Sequence, residues 1–155
     1  MHQAAIALGS NLASQYGDRA ANLHEAVNRL RALGHIRAIS SFHDTAPFGY
    51  TEQPRFLNAA LLLQTELEPL ELMRALLAIE RAMGRDRAAA MVKGPRIIDL
   101  DLLLLDDVVL TAAELTLPHP AMAERRFVLE PLAEIAPEMV EPVSGATIAA
   151  LLAQL

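Results

Sequence analysis

The chain of 155 residues contains no cysteine and no tryptophan, and its aromatic residues are four phenylalanines and two tyrosines. Without thiols, disulfide bonds and thiolate metal sites are excluded, so any chemistry must come from carboxylates, arginines, histidines and hydroxyls. A chain of this length is expected to form one domain, here residues 1–155, and to bury about two-thirds of its unfolded surface without needing disulfide bonds or structural metals.

The sequence also lacks an apolar run of the roughly 18 residues that a membrane span needs, and no basic segment precedes an apolar one at its start. Its formal net charge of −6 argues against sequence-independent binding to nucleic acid, which depends on basic surface. We therefore expect a cytoplasmic protein with neither membrane nor nucleic acid as a partner. Phosphate-loop, dinucleotide-binding and Gly-x-Ser-x-Gly hydrolase motifs are all absent.

What is present is an orderly alternation of strand and helix patterns. The apolar spacing and the turn residues predict strands at 4–8, 35–42, 56–65 and around Asp99, helices from about Leu23 to Leu33 and from Pro69 to Met83, and a long loop over 44–54. A turn at Asp106-Asp107, short strands near 108–110 and 115–117 and further helices complete the pattern. This order predicts an α+β fold with a ferredoxin-like βαββαβ core, a largely antiparallel sheet and helices on both faces.

Asp99 and Asp101 are the most informative residues, because the run around them otherwise indicates a buried strand. Side chains two positions apart on a strand point to the same face. Two carboxylates so placed repel each other unless cations or strong donors compensate, and a divalent metal is the simplest compensation. Mg²⁺ accepts such hard oxygen ligands and often shares them with substrate phosphates. The alternative is a strand whose acids lie at its solvated end.

Basic residues precede this acidic strand on an otherwise acidic protein. Arg85, Arg87, Lys93 and Arg96 fall within a dozen residues of it, and the planar guanidinium fork suits phosphate oxygens. The pattern favours a polyphosphate site, whereas a solvated basic loop with incidental ion pairs is the alternative.

Two aromatic positions add to the picture. Phe56 and Asn58 share one face of the third strand, pairing a flat apolar ring with an amide that donates and accepts hydrogen bonds. Phe127 follows Pro118-His119-Pro120 and two arginines. The first pair suits a flat heterocycle and the second group a nucleotide pocket. Alternatively, Phe56 is a core residue; a phenylalanine placed like Phe127 is more often core, and a lone histidine such as His119 is more often a surface or satisfied one.

Five motifs, taken in order, resemble those of the 6-hydroxymethyl-7,8-dihydropterin pyrophosphokinase family of folate biosynthesis. They are Ala7-Leu8-Gly9-Ser10-Asn11-Leu12, Thr45-Ala46-Pro47-Phe48-Gly49, Gln53-Pro54-Arg55-Phe56-Leu57-Asn58-Ala59, Gly94-Pro95-Arg96-Ile97-Ile98-Asp99-Leu100-Asp101 and Pro118-His119-Pro120. The resemblance runs from the first strand to Pro137 and thus covers nearly the whole chain.

The resemblance implies an enzyme that transfers the β,γ-pyrophosphoryl group of ATP to the hydroxymethyl oxygen of the pterin and releases AMP. It implies two Mg²⁺ ions held by Asp99 and Asp101, with Arg85, Arg96 and Asp101 as catalytic residues. Phosphoryl-type transfer asks a protein mainly for positioning and charge neutralisation. ATP and the pterin are the expected partners, and a monomer is the expected state.

The same resemblance implies two groups of binding residues. A pterin is expected to stack between Phe56 and Phe127 and to be read by Asn58 and the backbone of Thr45, Ala46, Pro47 and Phe48. ATP is expected to contact Glu80, Arg85, Arg87, Arg96, Thr116, His119, Pro120 and Arg125. The loops 44–55 and 85–93 are expected to close as lids that exclude water.

Three positions depart from the family pattern, since Lys93 stands where an aromatic residue is common and Phe56 and Pro120 stand where tyrosines occur. A non-catalytic ferredoxin-like module that binds a small ligand or a partner is the alternative of a different class. The co-occurrence of paired acids, arginines and stacking rings favours the enzyme.

Overall fold

The computed structural model describes residues 1–47, 52–84 and 95–155. Within these residues the strands are β1 His2–Ser10, β2 His35–Ile39, β3 His43–Thr45, β4 Phe56–Thr65, β5 Asp99–Leu105, β6 Leu110–Thr111 and β7 Thr116–Leu117. The α-helices are α1 Arg19–Leu30, α2 Pro69–Ala82, α3 Arg126–Ile135 and α4 Ile148–Ala153, with 3-10 turns at Arg31–Leu33 and Met122–Glu124.

The main sheet has the strand order β2-β4-β1-β5, and each neighbouring pair is antiparallel. Helix α1 connects β1 to β2, and α2 connects β4 to β5, which is the βαββαβ arrangement of a ferredoxin-like core. The predicted fold class is therefore confirmed. Strands β6 and β7 form a separate two-stranded hairpin.

The prediction of one strand over 35–42 is wrong in detail, because β2 ends at Ile39. Ser40 bonds to β4 by its own backbone and side chain: its N–H donates to the Ala60 carbonyl, and its hydroxyl accepts from the Ala60 N–H, both at 2.9 Å. The chain then resumes pairing with β4 as β3. Asp44 and Thr45, predicted to begin a loop, thus lie in a strand.

Helices cover both faces of the sheet, as predicted. On one face, Ile6 and Leu61 pack with Leu23 of α1 and Leu72 of α2 in one buried cluster. On the other face, Ala5, Leu62 and Leu103 pack with residues of α3 and α4, including Leu129 and Leu151. Burial of a large aliphatic side chain contributes roughly 1.5–3 kcal/mol, so these two clusters supply the main favourable term in folding.

The helix ends follow local chemistry. The Asp18 carboxylate accepts the Ala21 N–H at 2.9 Å and caps α1. Glu68 and Glu71 form a capping box at the start of α2, where Pro69 fits the first turn. Before β2, Gly34 lies so close to β4 that a Cβ atom there would meet the Gln64 carbonyl oxygen at 2.1 Å.

No helix in the described parts of the chain is long and apolar enough to span a bilayer.

Candidate active site

Small residues on β1 leave space on the face of the sheet that carries α3. Gly9 lies in register with Asn58 of β4 on one side and Asp99 of β5 on the other. One step along the same face, Ala7 lies in register with Asp101. Because neither Ala7 nor Gly9 projects a large side chain, main-chain atoms of β1 form the floor of a cavity between the amide and the acids.

This cavity has a volume of about 250 Å³. Its walls come from strands β1, β3, β4 and β5, from the start of α3 and from the segment before that helix. The lining residues are Ala7, Leu8, Gly9, Thr45, Ala46, Phe56, Asn58, Ala59, Arg96, Asp99, Asp101, His119, Arg125, Phe127 and Val128. Most residues that the sequence predicted for pterin, metal and phosphate binding thus meet at one place.

The acidic wall is formed by Asp99 and Asp101, which both point into the cavity from β5. The Arg96 guanidinium lies 3.6 Å from the Asp99 carboxylate, and the two side chains are 15% and 28% exposed. In the described part of the chain, no three His, Asp or Glu side chains group together as a metal site. Mg²⁺ commonly takes only one or two carboxylates, so this pair of hard oxygen donors fits such an ion.

Arg96 is held in place by Asn11, which follows β1 and is only 2% exposed. The Arg96 N–H donates to the Asn11 side-chain oxygen at 2.6 Å, and the Asn11 N–H donates to the Arg96 carbonyl at 2.9 Å. The Asn11 amide also donates to the Gln53 side-chain oxygen at 2.8 Å and to the Pro54 carbonyl at 3.1 Å. One buried amide therefore ties the arginine to the segment leading into β4.

The polar and aromatic wall opposite the acids comes from β4. Asn58 is 8% exposed, and its side-chain amide donates to the Thr45 hydroxyl at 2.6 Å. Thr45 in turn lies in register with Phe56. A Cβ atom on Gly9 would lie 2.9 Å from the Asn58 side-chain oxygen, so glycine at this position allows the amide to sit over the cavity floor.

The far wall is formed by Phe127 at the start of α3 and by Arg125 just before it. The Arg125 guanidinium lies 5.7 Å from the centre of the Phe127 ring, which is within cation–π range. The Phe127 ring, which lines the cavity, therefore lies beside a cation of the kind that suits phosphate.

His119 lines the same cavity as Arg125 and Asp99, and both of their charges act on it. Burial and the positive charge of Arg125 lower the pKa of His119 below its usual 6.5, and the Asp99 charge opposes this shift. Its Nδ1 atom accepts the Ala121 N–H at 3.3 Å, so the neutral ring carries its proton on Nε2. The lowered pKa favours the neutral ring, in which Nε2–H is the available donor.

Thr116 and Pro120, predicted for the ATP side, line an adjoining cavity of about 280 Å³ rather than the main one. His119 lines both cavities. Val109, Leu117 and Met122 contribute apolar surface to the second cavity. The predicted ATP residues that line a cavity are thus divided between two spaces that share His119.

Several predicted residues are not brought to the main cavity. Glu80 of α2 is 1% exposed and accepts the Leu100 N–H at 2.7 Å, so it is buried behind β5. Pro47 is among the residues that the structure describes, but it does not line the cavity. Arg85, Arg87 and Phe48 lie outside the described residues, as do parts of both predicted lid loops.

Residue-by-residue reasoning missed the roles of Gly9 and Ala7 as floor, of Asn11 as a brace and of Val128 as lining. The signal for the floor was in the sequence: Ala5, Ala7 and Gly9 alternate along one strand face. For Asn11 no local signal exists, because its partners are more than 40 positions away.

The sequence model of the family described as 7,8-dihydro-6-hydroxymethylpterin-pyrophosphokinase (HPPK) matches residues 5–137. The chain belongs to the HPPK family.

Two curated relatives agree with this membership. The 2-amino-4-hydroxy-6-hydroxymethyldihydropteridine pyrophosphokinase of Methylorubrum extorquens is 44% identical, over 100% of this chain and 94% of its own length. The protein of the same name from Bacillus subtilis is 41% identical, over 91% of this chain and 82% of its own. As an HPPK, the chain is an ATP-dependent pyrophosphokinase of folate synthesis that acts on the hydroxymethyl group of the pterin, as the motifs predicted.

Solved structures bear out the fold. The crystal structure of wild-type HPPK-DHPS from Plasmodium falciparum matches 99% of this chain with a TM-score of 0.76 at 16% identity. The HPPK chain spans 44% of that longer protein, so the likeness concerns the fold of one part of it.

Proposed function

We propose that the main cavity binds the pterin substrate flat between Phe56 and Phe127. The supporting observation is that both rings line one cavity together with the Asn58 amide. Offset or edge-to-face contact with two rings favours a flat heterocycle. Asn58 and the backbone of residues 45–48 would read the polar edge of the pterin, and a site built to pair donors and acceptors rejects analogues that lack them.

ATP would lie with its phosphates toward Arg96, His119 and Arg125 and extend into the adjoining cavity lined by Thr116 and Pro120. Arg85 and Arg87 complete the cationic set by family resemblance. The Nε2–H of neutral His119 would donate to a phosphate oxygen without adding charge. Arg96 and Arg125 would contribute the positive charge, because guanidinium groups match phosphate oxygens in a bidentate way.

Asp99 and Asp101 would hold the two Mg²⁺ ions that the family resemblance implies. Bound there, the ions would supply charge neutralisation on the phosphates and a template for the two substrates. The carboxylates lie next to Ala7 and Gly9, so the metal side and the pterin side share one floor.

In the proposed transfer, the hydroxymethyl oxygen attacks the β-phosphorus of ATP, the bond from that phosphorus to the α-phosphate oxygen breaks, and AMP leaves while the hydroxyl loses its proton. Arg96, with Arg85, would neutralise the charge that develops on the phosphates. The chain's main contribution is to orient the two substrates, since a near-attack geometry is worth a large part of the barrier. We also propose that residues 1–155 act as one domain and as a monomer.

The observation that carries this assignment is the convergence of Asp99 and Asp101 with Phe56, Asn58 and Phe127 around one cavity. The test is AMP production from ATP, with and without Mg²⁺ and the reduced pterin alcohol. Asp101→Asn is expected to abolish turnover. Asp107→Asn, which changes an exposed acid in the turn after β5, is the matched control and should leave the rate unchanged. AMP release that ignores either the pterin or Asp101 would refute the assignment.

A further inference from the structure

Glu80 is a buried carboxylate that the proposed reaction does not use directly. It lies on α2, is 1% exposed, and accepts the Leu100 N–H at 2.7 Å. Burying a carboxylate is costly unless strong partners compensate. A carboxylate buried behind β5 should therefore have a function that a hydrophobic residue could not perform.

The Glu80 carboxylate accepts the N–H of a residue that stands between the two aspartates. Leu100 stands between Asp99 and Asp101, and its own side chain is 3% exposed in the cluster under α2, on the face away from the acids. Among the described residues, strand β5 is the last in the sheet order and pairs only with β1. On its outer side no described strand accepts the Leu100 N–H, and the Glu80 carboxylate accepts it instead.

We propose that Glu80 is a positioning residue for the metal site: by holding the Leu100 peptide against α2, it fixes the backbone that spaces the carboxylates of Asp99 and Asp101. This inference rests on the proposed role of those two acids. The contact between Glu80 and ATP that family resemblance implies is a separate prediction, and the role proposed here acts through the main chain. Groups that orient metal ligands typically change metal affinity about 10- to 100-fold when removed.

The test measures metal binding rather than turnover alone. Mn²⁺ is titrated, by electron paramagnetic resonance, against the full chain with a non-hydrolysable ATP analogue. Glu80→Met removes the acceptor at similar size, and we expect Mn²⁺ affinity to fall about 10- to 100-fold. Glu80→Gln keeps an acceptor oxygen and should restore most of the affinity. Amide hydrogen exchange at Leu100 should speed up in Glu80→Met and stay slow in Glu80→Gln.

A second readout separates positioning from general damage. Raising Mg²⁺ should recover the AMP-forming rate of Glu80→Met, because weakened ligands can be saturated, whereas a merely structural loss would lower the rate at every Mg²⁺ concentration. Leu76→Ala is the matched control: it removes a buried side chain, 2% exposed, from the same helix without touching the acceptor. It should lower stability but leave Mn²⁺ affinity unchanged.

Mn²⁺ affinity in Glu80→Met equal to that of the unaltered chain, or an equal loss in Leu76→Ala, overturns the positioning role. If Glu80→Met does not fold, Glu80→Asp carries the test, since it keeps the charge but withdraws it by one methylene and should weaken Mn²⁺ binding without abolishing it. Asp101→Asn separates the two proposals: if it fails to weaken Mn²⁺ binding, the metal assignment itself is wrong, whatever Glu80 does.

Discussion

The two faces of the central sheet are built from the same strands but serve different ends. On the face under α1 and α2, Ile6, Leu61 and Leu63 are completely buried and fill the space. On the opposite face, β1 carries Ala7 and Gly9, and the space above them is the candidate active site. Large buried side chains on the packed face stabilise the fold, whereas the candidate site lies where β1 carries only small residues.

The largest expected effect comes from breaking the packed face. Leu61→Ala removes a side chain that is 0% exposed, and such changes typically cost about 2–5 kcal/mol through lost burial and a residual cavity. Urea unfolding should show this loss, while kcat/KM of the folded fraction stays close to that of the unaltered chain. A large fall in kcat/KM would mean that the two faces are not separable.

Filling the floor of the open face is the converse change. Gly9→Val places a branched side chain where even a Cβ atom would lie 2.9 Å from the Asn58 side-chain oxygen. We expect turnover to fall about 100-fold, because displaced substrates lose near-attack geometry, with a smaller effect on stability than Leu61→Ala. Equal turnover in Gly9→Val, measured by AMP release, would show that nothing binds over this floor.

A smaller change affects the wall of the open face. Phe127→Leu keeps apolar bulk but removes the ring, and it should weaken pterin binding by about 0.5–1.5 kcal/mol, the usual worth of an aromatic contact beyond its area. Calorimetry with Mg²⁺ and an ATP analogue present measures this. Phe42→Leu is the control. The centres of the Phe42 and His24 rings lie 5.0 Å apart on the packed side of the sheet, so this substitution should not alter pterin affinity.

The smallest effect is expected at the opposite end of β1 from Gly9. Hydrogen bonds to Asp106 and Glu68 raise the pKa of His2 above its usual 6.5. A raised folded-state pKa contributes stability below about pH 6.5 that is lost as pH rises through the folded value. The unaltered chain should therefore be more stable than His2→Gln at pH 6, and this difference in the free energy of unfolding should shrink toward pH 9, as measured by urea midpoints. AMP formation should be unaffected, and a gap that widens with pH would contradict the ion pair.

Where sequence patterns are local, they predict the structure closely. Strand β4 runs from Phe56 to Thr65 as expected, because apolar residues dominate the segment and Pro54 precedes it. Pro69 likewise predicts the first turn of α2. By contrast, β3 consists of His43, Asp44 and Thr45, and only Thr45 among these three favours a strand by its own propensity. Only pairing with the distant β4 makes them a strand.

The site shows the same division. The sequence could predict that Asp99 and Asp101 share one strand face and, through family motifs, that they and the two rings belong to one site; all four line the cavity. The braces could not, because Asn11 reaches Gln53 and Arg96, and Glu80 reaches Leu100, across long stretches of chain. Helical periodicity describes which face of α2 is apolar, but it gives no reason for an acid to be buried there.

The main-chain floor at Ala7 and Gly9 also bears on resistance to inhibitors. A flat inhibitor lying on this floor would rest on peptide atoms, which no codon change can remove. In the proposed binding mode, a bulkier residue introduced at Gly9 to exclude such a compound would also crowd the pterin. Escape variants would therefore have to arise in the walls, where the enzyme has side chains to alter.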